Sequence, residues 1–365
     1  MISNIKYWVW LSSMVRISIR HRLQLLDYFG DPALIWECSE SELKALHFCT
    51  PRIIDAITDR NAREDLPGLM DKINRCNANI ITIKDGMYPE ELKTIPDPPV
   101  VLYCLGKLEK EAVCVAIVGS RRATYYGLDM AGRLSRELAE NGVTVVSGMA
   151  RGIDSRAHGG ALEGGGRTIA VLGCGIDIIY PSENRELQKR ICQSGAVISE
   201  YVPGTPPLAF HFPARNRIIS GLSKGVAIIE ANERSGSLIT AEFALEQGKD
   251  VFAVPGNINC RNSSGTNKLI KDGAIVVTSV DDILDELKIT HGTNNSLCND
   301  NKLNASILGG NEKSIAKSLE NGPAHIDRIA RDCGISVQLA GSVLVMLELS
   351  GFVEQLPGKI YRLSE

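Results

Sequence analysis

The stretch that decides the fold reads VCVAIVGSRR and covers Val113–Arg122, where an apolar run ends at a glycine, a serine and two arginines. Further short apolar runs, rich in β-branched residues, follow at residues 143–146, 168–172, 196–199, 226–229, 251–254 and 274–278. Helix-length segments lie between them, at residues 127–140, 154–163, 183–193 and 237–247. Strands that alternate with helices in this way are typical of a parallel sheet covered on both faces, so residues 107–288 are predicted to form a doubly wound α/β domain.

Composition narrows the class of protein. Of the 365 residues, 44% are hydrophobic and 23% are charged, which is typical of a protein with a sizeable core. The net charge of −3 excludes a protein that coats nucleic acid by bulk charge, but leaves a local basic groove open.

None of the ten cysteines belongs to a C-x-x-C pair, so no metal site is predicted. Scattered single cysteines are typical of reduced thiols, and no apolar stretch reaches the roughly 18 residues of a membrane span, so a cytoplasmic protein is expected.

The N-terminal region, residues 1–106, has helical periodicity and is predicted to be a small helical module that ends in a linker. Two short helices at residues 39–46 and 51–59, joined by a turn, indicate a helix-hairpin-helix-like (or SAM-like) module. Such modules often touch nucleic-acid backbone, and a purely structural cap stays open as the alternative. The apolar run at residues 7–11 is interpreted as a first helix and not as a signal peptide, because no small-residue cleavage site accompanies it.

The chain beyond residue 288 divides into a linker and a third domain. Residues 289–311 are polar and predict the linker. Residues 312–365 predict a winged helix, with three helices at residues 314–320, 325–333 and 336–350 and a closing hairpin. This domain contains six Lys or Arg and seven Asp or Glu, so it has no basic excess. A protein-contact or regulatory module is therefore as open an interpretation as DNA binding.

The carboxyl ends of parallel strands are where ligands bind in such a domain. At the first of them, Gly119 and Ser120 are followed by Arg121 and Arg122. This is not the G-x-G-x-x-G fingerprint, and no acidic residue occupies the ribose-binding position, so a Rossmann dehydrogenase is disfavoured. A planar arginine fork suits phosphate, and a glycine lets a ligand approach the backbone, so the sequence predicts a phosphate contact here.

The next strand ends offer polar groups with two interpretations. Asp154 and His158 are four residues apart on one predicted helix face, which fits an acid–base pair. Asp154 also fits an ordinary N-cap of that helix, and this alternative is preferred. After the following strand, Asn184 offers an amide for a base or a phosphate.

The segment from residue 203 to residue 224 has no acidic residue and combines Phe212 with Arg215, Asn216 and Arg217. Aromatic rings and cations in one segment are what single-stranded nucleic acid needs, because bases stack and phosphates are neutralised. The turn Ser235-Gly236-Ser237 opens a helix directly after a buried strand, and its N–H groups predict an anion site. No nucleophile or metal-ligand cluster accompanies these strand ends, so binding is favoured over catalysis and no cofactor is predicted.

These motifs together resemble the DNA-processing protein family DprA, also called Smf. The resemblance rests on residues 117–121, 146–154 and 212–221, with residues 235–237 and 254–256, and the order of the three zones agrees with it. It implies an extended Rossmann core with a helical N-terminal module and a winged-helix tail. It also implies a cytoplasmic, non-enzymatic protein that binds single-stranded DNA as a homodimer and hands it to the RecA recombinase in natural transformation.

The resemblance also implies roles for individual residues. In the family the pocket is formed by an arginine that matches Arg121, a phenylalanine that matches Phe212 and an asparagine that matches Asn184 or a residue nearby. Some members place a lysine shortly before the phenylalanine, and this chain has none there, so His211 and Arg215 are the candidates to replace it.

The sequence thus predicts a site that binds single-stranded DNA without base specificity, with phosphates on the arginines and a base on the phenylalanine. The predicted DNA-binding residues are Gly119, Ser120, Arg121, Arg122, Asn184, Phe212, Arg215, Asn216, Arg217, Ser235, Gly236 and Ser237. One alternative is a nucleotide hydrolase on a related core, in which Glu242 would be the relic of a catalytic carboxylate. Another is a transcription regulator that uses the winged helix.

Overall fold

The computed structural model describes residues 4–289, 310–319, 322–349, 353–356 and 358–363. The chain forms two compact units, Met1–Gly292 and Thr293–Glu365. Most of the predicted linker, residues 290–309, lies outside the described residues. The predicted domain boundaries at residues 106 and 288 stay predictions.

The first unit alternates helices and strands along most of its length. Its helices are α1 (Ile5–Ser13), α2 (Ile19–Phe29), α3 (Pro32–Glu37), α4 (Glu40–Lys44), α5 (Pro51–Thr58), α6 (Arg60–Glu64), α7 (Leu66–Arg75), α8 (Glu90–Lys93), α9 (Tyr125–Glu140), α10 (Ile153–Glu163), α11 (Arg185–Ser194), α12 (His211–Leu222), α13 (Gly236–Glu246), α14 (Ser264–Lys271) and α15 (Asp281–Glu286). Its strands are β1 (Asn79–Thr82), β2 (Val101–Gly106), β3 (Cys114–Val118), β4 (Thr144–Ser147), β5 (Thr168–Val171), β6 (Ala196–Ser199), β7 (Gly225–Ile228), β8 (Asp250–Ala253) and β9 (Ile275–Val276).

All nine strands of this unit form one sheet in the order β1-β2-β6-β5-β4-β3-β7-β8-β9. The seven strands from β6 to β9 in this order are parallel, whereas β2 pairs antiparallel with β6 and β1 antiparallel with β2. The predicted doubly wound parallel sheet is therefore confirmed. The two antiparallel strands are an extension of that sheet which the sequence did not predict.

Strand β3 illustrates why the sheet is covered on both faces. Val115 and Ile117 pack in a cluster with α9 and α10, whereas Ala116 and Val118 pack in another with α12 and α13. Successive side chains of a strand point to opposite faces, so an unbroken apolar run requires a layer of helices on each side. Both layers place the first residues of their helices at the carboxyl edge of the sheet.

The N-terminal helices pack over the part of the sheet that contains β2 and β6. Trp10, Tyr103 and Val197 belong to one buried cluster that joins these helices to both strands. The apolar run at residues 7–11 forms helix α1, as predicted, and its residues from Trp8 to Leu11 are all buried. The two short helices predicted at residues 39–46 and 51–59 form as α4 and α5.

The second unit is the predicted winged helix. It contains α16 (Gly310–Leu319), β10 (Ala324–His325), α17 (Ile326–Asp332), α18 (Val337–Leu349), β11 (Val353–Leu356) and β12 (Ile360–Leu363). The strands form an antiparallel sheet in the order β10-β12-β11. Ile315, Ile329, Leu344 and Tyr361 join all three helices and the sheet in one buried cluster.

In the described part of the chain, no single helix is both long enough and apolar enough to cross a membrane. The helix pair Ile326–Asp332 and Val337–Glu348 reaches that length and apolarity jointly, by length and composition alone, and is bent by 107°.

Candidate nucleic-acid interface

A cavity of about 790 Å³ opens at the carboxyl edge of the sheet, where β3, β4 and β7 end. All of the predicted DNA-binding residues except Asn184 and Arg217 line it. The lining also includes side chains that the sequence did not single out, namely Tyr180, Asn232, Thr240, Arg261 and Asn262. The edge predicted from strand ends alone is therefore where these groups meet.

The loop after β3 forms one wall of this cavity. Gly119 allows close packing, because a Cβ there would lie 2.8 Å from Cγ1 of Ile153. The hydroxyl of Ser120 accepts a hydrogen bond from the backbone N–H of Arg122 (3.1 Å), which fixes the turn. Arg121 and Arg122 themselves are exposed. Two cations on a fixed turn, open to solvent, are available for an anionic ligand.

Phe212 and Tyr180 form an aromatic pair beside Arg121. Their ring centroids lie 5.4 Å apart at an interplanar angle of 37°, and the guanidinium carbon of Arg121 lies 5.3 Å from the Phe212 centroid. The Phe212 ring rests on Gly173, where a Cβ would approach its Cδ1 to 2.9 Å. The ring is partly exposed, and the Arg121 guanidinium lies over it, so a cation and an aromatic ring meet at this point of the cavity.

The first turn of α13 forms the opposite wall. The hydroxyl of Ser235 caps the helix and accepts from the backbone N–H of Ser237 (3.4 Å). Gly236 borders open space, and the side-chain amide of Asn216 donates to its carbonyl oxygen (3.2 Å). The positive end of the helix dipole therefore borders the cavity, with α12 tied to it.

Arg215 has a structural role instead of the predicted phosphate contact. It is only 3% exposed, and its Nη1 donates to the carbonyl oxygens of Gly148 (2.7 Å) and Val171, just beyond β4 and at the end of β5. Burial, partly offset by the Asp154 carboxyl, lowers the pKa of Arg215 to about 10. The prediction is corrected because the buried guanidinium joins two strand ends through Nη1; its Nε has no partner among the described residues.

The predicted DNA contacts of Arg217 and Asn184 are also corrected, because both side chains are bonded to other groups inside the protein. Arg217 is 6% exposed and forms an ion pair with Glu200. The Nδ2 of Asn184 donates to Met149 O and to Ser155 Oγ, both at 2.8 Å, which fixes the segment between β4 and α10. Neither side chain lines the cavity.

The two candidates to replace the absent lysine do not fit that role either. His211 is 8% exposed, and its ring stacks on Tyr201 with centroids 4.1 Å apart. Arg215 is committed to backbone carbonyls as described. The exposed cation that the sequence analysis missed is Arg261, on the loop that follows β8. The signal for it is the strand end at residues 251–254, because Arg261 lies on the loop that follows this strand.

Asp154 and His158 do not form the acid–base pair that their spacing allowed. His158 is fully buried, and its Nδ1 lies 2.6 Å from Thr168 Oγ1, which donates its proton to Val145 O. Nδ1 therefore carries the ring proton, and Nε2 has no partner. Burial, with a smaller contribution from Arg215, lowers the pKa of His158 to about 3, so the ring is neutral.

The preferred N-cap role of Asp154 is also wrong. The N-cap of α10 is Gly152, and Asp154 lies in the first turn, where its Oδ2 accepts from Ala150 N (3.3 Å). Burial raises the pKa of Asp154, although the charge of Arg215 opposes the shift. Gly148 is required between them, because a Cβ there would approach Arg215 Nη2 to 2.6 Å and Asp154 Oδ2 to 2.7 Å.

A buried carboxylate, Glu230, ties the two loops of the cavity together. It accepts hydrogen bonds from Thr124 N (2.9 Å) and from the Thr124 hydroxyl, at the start of α9. Asn262 Nδ2 donates to Glu230 (3.4 Å) and to the carbonyl oxygen of Arg122 (2.8 Å). The loop after β3 and the loop after β8 are therefore held by one side chain.

The alternative of a hydrolase depended on Glu242. This residue lies exposed on α13 and does not line the cavity. Among the residues that the structure describes, no three His, Cys, Asp or Glu side chains are grouped to hold a metal ion.

Comparison with known proteins gives consistent matches. A family model described as DNA recombination-mediator protein A matches residues 79–288, and one described as DprA winged helix domain matches residues 302–359. The DNA processing protein DprA of Streptococcus pneumoniae is 49% identical over 208 residues, which cover 57% of this chain and 73% of that protein. Protein Smf of Escherichia coli is 40% identical over 295 residues, which cover 79% of this chain and 78% of that protein.

Solved structures resemble the chain as well. The X-ray structure of DprA from Streptococcus pneumoniae has a TM-score of 0.69 and 40% identity, covering 77% of this chain and 97% of that one. A structure of DNA processing protein A from Helicobacter pylori, described for its single-stranded DNA binding mode, has a TM-score of 0.52 and 35% identity. It covers 57% of this chain and 96% of that one.

Proposed function

The chain belongs to the DprA/Smf family of DNA-processing proteins, and from this premise we propose that it binds single-stranded DNA without base specificity. The observation that carries the proposal is the open cavity in which exposed Arg121 stands 5.3 Å from the ring of Phe212. A cation beside an aromatic face binds a phosphate and a base of the same strand, and every base has a face that can stack. The relative from Helicobacter pylori, described for binding single-stranded DNA, supports the same ligand.

In this proposal the phosphates are held by Arg121 and Arg122 from one side. The backbone N–H of Gly236, in the first turn of α13 that lines the cavity, donates to them as well, whereas the N–H groups of Ser235 and Ser237 are already bonded to Asn232 O and Ser235 Oγ. Phe212, with Tyr180 beside it, stacks a base. Duplex DNA is disfavoured because its bases are paired and stacked, so no base face is free for Phe212.

The test is fluorescence anisotropy of labelled oligo-dT and of its duplex, across a range of salt. We expect single-strand preference, and an Arg121→Glu variant with affinity lower by about tenfold or more. The matched control is Arg190→Gln on α11, an exposed arginine whose charge acts on Glu163 at the far end of α10. Equal binding of the duplex, or an unchanged affinity in Arg121→Glu, contradicts the proposal. A flat salt dependence does so as well, since neutralised phosphates release counterions.

We propose further that the bound strand is handed to RecA in the cytoplasm, by a homodimer, during natural transformation or recombination. The match to a family model described as DNA recombination-mediator protein A supports the RecA step. The nine cysteines within the described residues form no disulfide, which supports the cytoplasm. RecA filament assembly is measured on a single strand coated with a single-strand-binding protein, with and without this chain. Light scattering measures the oligomeric state of this chain. Unchanged assembly contradicts the RecA step, and a monomer contradicts the dimer.

We propose that the site binds without catalysis. Asp154 and His158, the acidic and basic groups that once fitted an acid–base pair, have structural hydrogen bonds instead. The measurement is chromatography of oligonucleotides and nucleoside monophosphates after incubation with the protein. Release of a free base or of a shortened strand contradicts this proposal.

A further inference from the structure

A second cavity, of about 530 Å³, adjoins the first. It lies between the loop that follows β7 and the loop that follows β8. The two cavities share Asn232 and Arg261, so they form one continuous groove. The second is lined by Asn232, Glu233, Arg234, Ile258, Asn259, Cys260, Arg261 and Ser264.

The second cavity has the same chemical character as the first. Arg234 and Arg261 are both exposed, and among the described residues neither has a carboxylate partner within 4.0 Å. Glu233 is the single carboxylate in the lining. Ile258 stands 88% exposed at the rim. Unpaired arginines beside an exposed apolar side chain fit a ligand with phosphates and flat apolar faces.

The strand order sets the length of the first cavity. Tyr180 and Arg261 both line it; Tyr180 follows β5, Arg261 follows β8, and the order β5-β4-β3-β7-β8 separates them by four strand steps. At about 4.8 Å for each step, the first cavity runs about 19 Å along the edge of the sheet. The second cavity lies beyond Arg261 and lengthens this path.

We infer that the DNA strand continues from the first cavity past Arg261 into the second, where Arg234 neutralises a further phosphate. The inference rests on the proposed function and adds to it a longer footprint. Arg261 stands at the junction and contacts the strand between the two parts. Ile258 covers a base or a sugar at the far end.

The test uses Arg234→Gln, because Arg234 lines the second cavity alone. Affinity is measured by anisotropy for oligo-dT of about 4 and of about 16 nucleotides, the range of site sizes of single-strand binding folds. For the longer strand we expect affinity lower by about two- to fivefold and a salt slope smaller by about 0.7. For the shorter strand, seated on Phe212, we expect no change. Arg190→Gln is the matched control, with both strands unchanged.

Two results overturn the inference. One is an Arg234→Gln variant that binds the longer strand with unchanged affinity and salt slope. The other is equal weakening for both lengths, which would assign Arg234 to the first cavity. Arg121→Glu separates these from failure of the proposed function, since it must weaken both lengths. If Arg121→Glu leaves both unchanged, the proposed function itself fails.

Discussion

Two pairs of arginines that looked alike in the sequence differ in the structure. Arg121 and Arg122, on the loop after β3, are exposed, whereas Arg215 and Arg217, on α12, are buried and bonded to backbone carbonyls or to Glu200. An exposed arginine keeps its donors for a ligand, whereas Arg215 has committed its Nη1, and Arg217 its Nη2, to acceptors inside the protein. The comparison teaches that a basic segment counts toward a binding site only where the backbone leaves its cations in solvent.

The largest expected effect comes from Arg215→Met. Removing the guanidinium leaves two carbonyl oxygens without their donor and Asp154 without its neighbouring cation, so the free energy of unfolding should fall by about 4 kcal/mol. Urea unfolding followed by tryptophan fluorescence measures this, since Trp8, Trp10 and Trp36 all lie in the first unit. If Arg215→Met keeps its stability and loses only DNA affinity, Arg215 is a ligand after all.

Arg217 should give a smaller loss, because it pairs with one carboxylate at the border of the core. Arg217→Met is expected to lower the free energy of unfolding by about 3 kcal/mol by leaving the largely covered Glu200 carboxylate unpaired. Glu200→Gln should recover part of that loss in the double variant. Additive losses in the cycle of the two single variants and the double variant would show that the ion pair is not coupled.

His158 is a third buried polar group, and we expect it to make stability depend on pH. Its pKa in the folded protein is about 3, below the ordinary value of 6.5, so protonation favours the unfolded chain. Stability is therefore full above about pH 6.5 and falls by about 1.4 kcal/mol for each pH unit below it.

The matched variant for this effect is His158→Asn, which keeps a donor for Thr168 and does not titrate. Urea unfolding between about pH 7 and pH 5 should give a flatter pH dependence for the variant than for the parent chain. Parallel curves for the two proteins would mean that His158 is already charged in the folded state.

The smallest expected effect is that of Arg122→Gln. Because Arg122 is exposed, the variant should keep the free energy of unfolding within about 0.5 kcal/mol. Its affinity for a single strand should fall by about two- to fivefold, as for one exposed ion pair. A destabilised Arg122→Gln would remove the distinction between the two arginine pairs. Urea unfolding measures the stability of the variant, and fluorescence anisotropy of the same samples measures its affinity for a single strand.

The parallel sheet could be predicted because its signal is local. An unbroken apolar run such as Val113–Val118 specifies a strand buried on both faces, whatever its neighbours are. The pairing of β2 with β6 could not be predicted, since a strand's partner depends on contacts distant in sequence.

The site was predicted as far as strand ends determine it. The loop at Gly119–Arg122 and the turn at Ser235–Ser237 follow strands directly, so they lie at the edge by topology. On α12 the outcome depends on how the helix is rotated: Phe212 and Asn216 border the cavity, while Arg217 points to Glu200. Tertiary packing sets the rotation of the helix, so it could not be predicted from the sequence alone.

Glu230 has a consequence for the speed of binding. Since the loops after β3 and β8 are fastened to this one carboxylate, the groove keeps its width before a strand arrives. Docking then needs no closing step from the protein, and the loss of conformational freedom falls on the DNA. Association should accordingly be limited by diffusion and steered by charge, so that lowering the ionic strength speeds arrival of the strand.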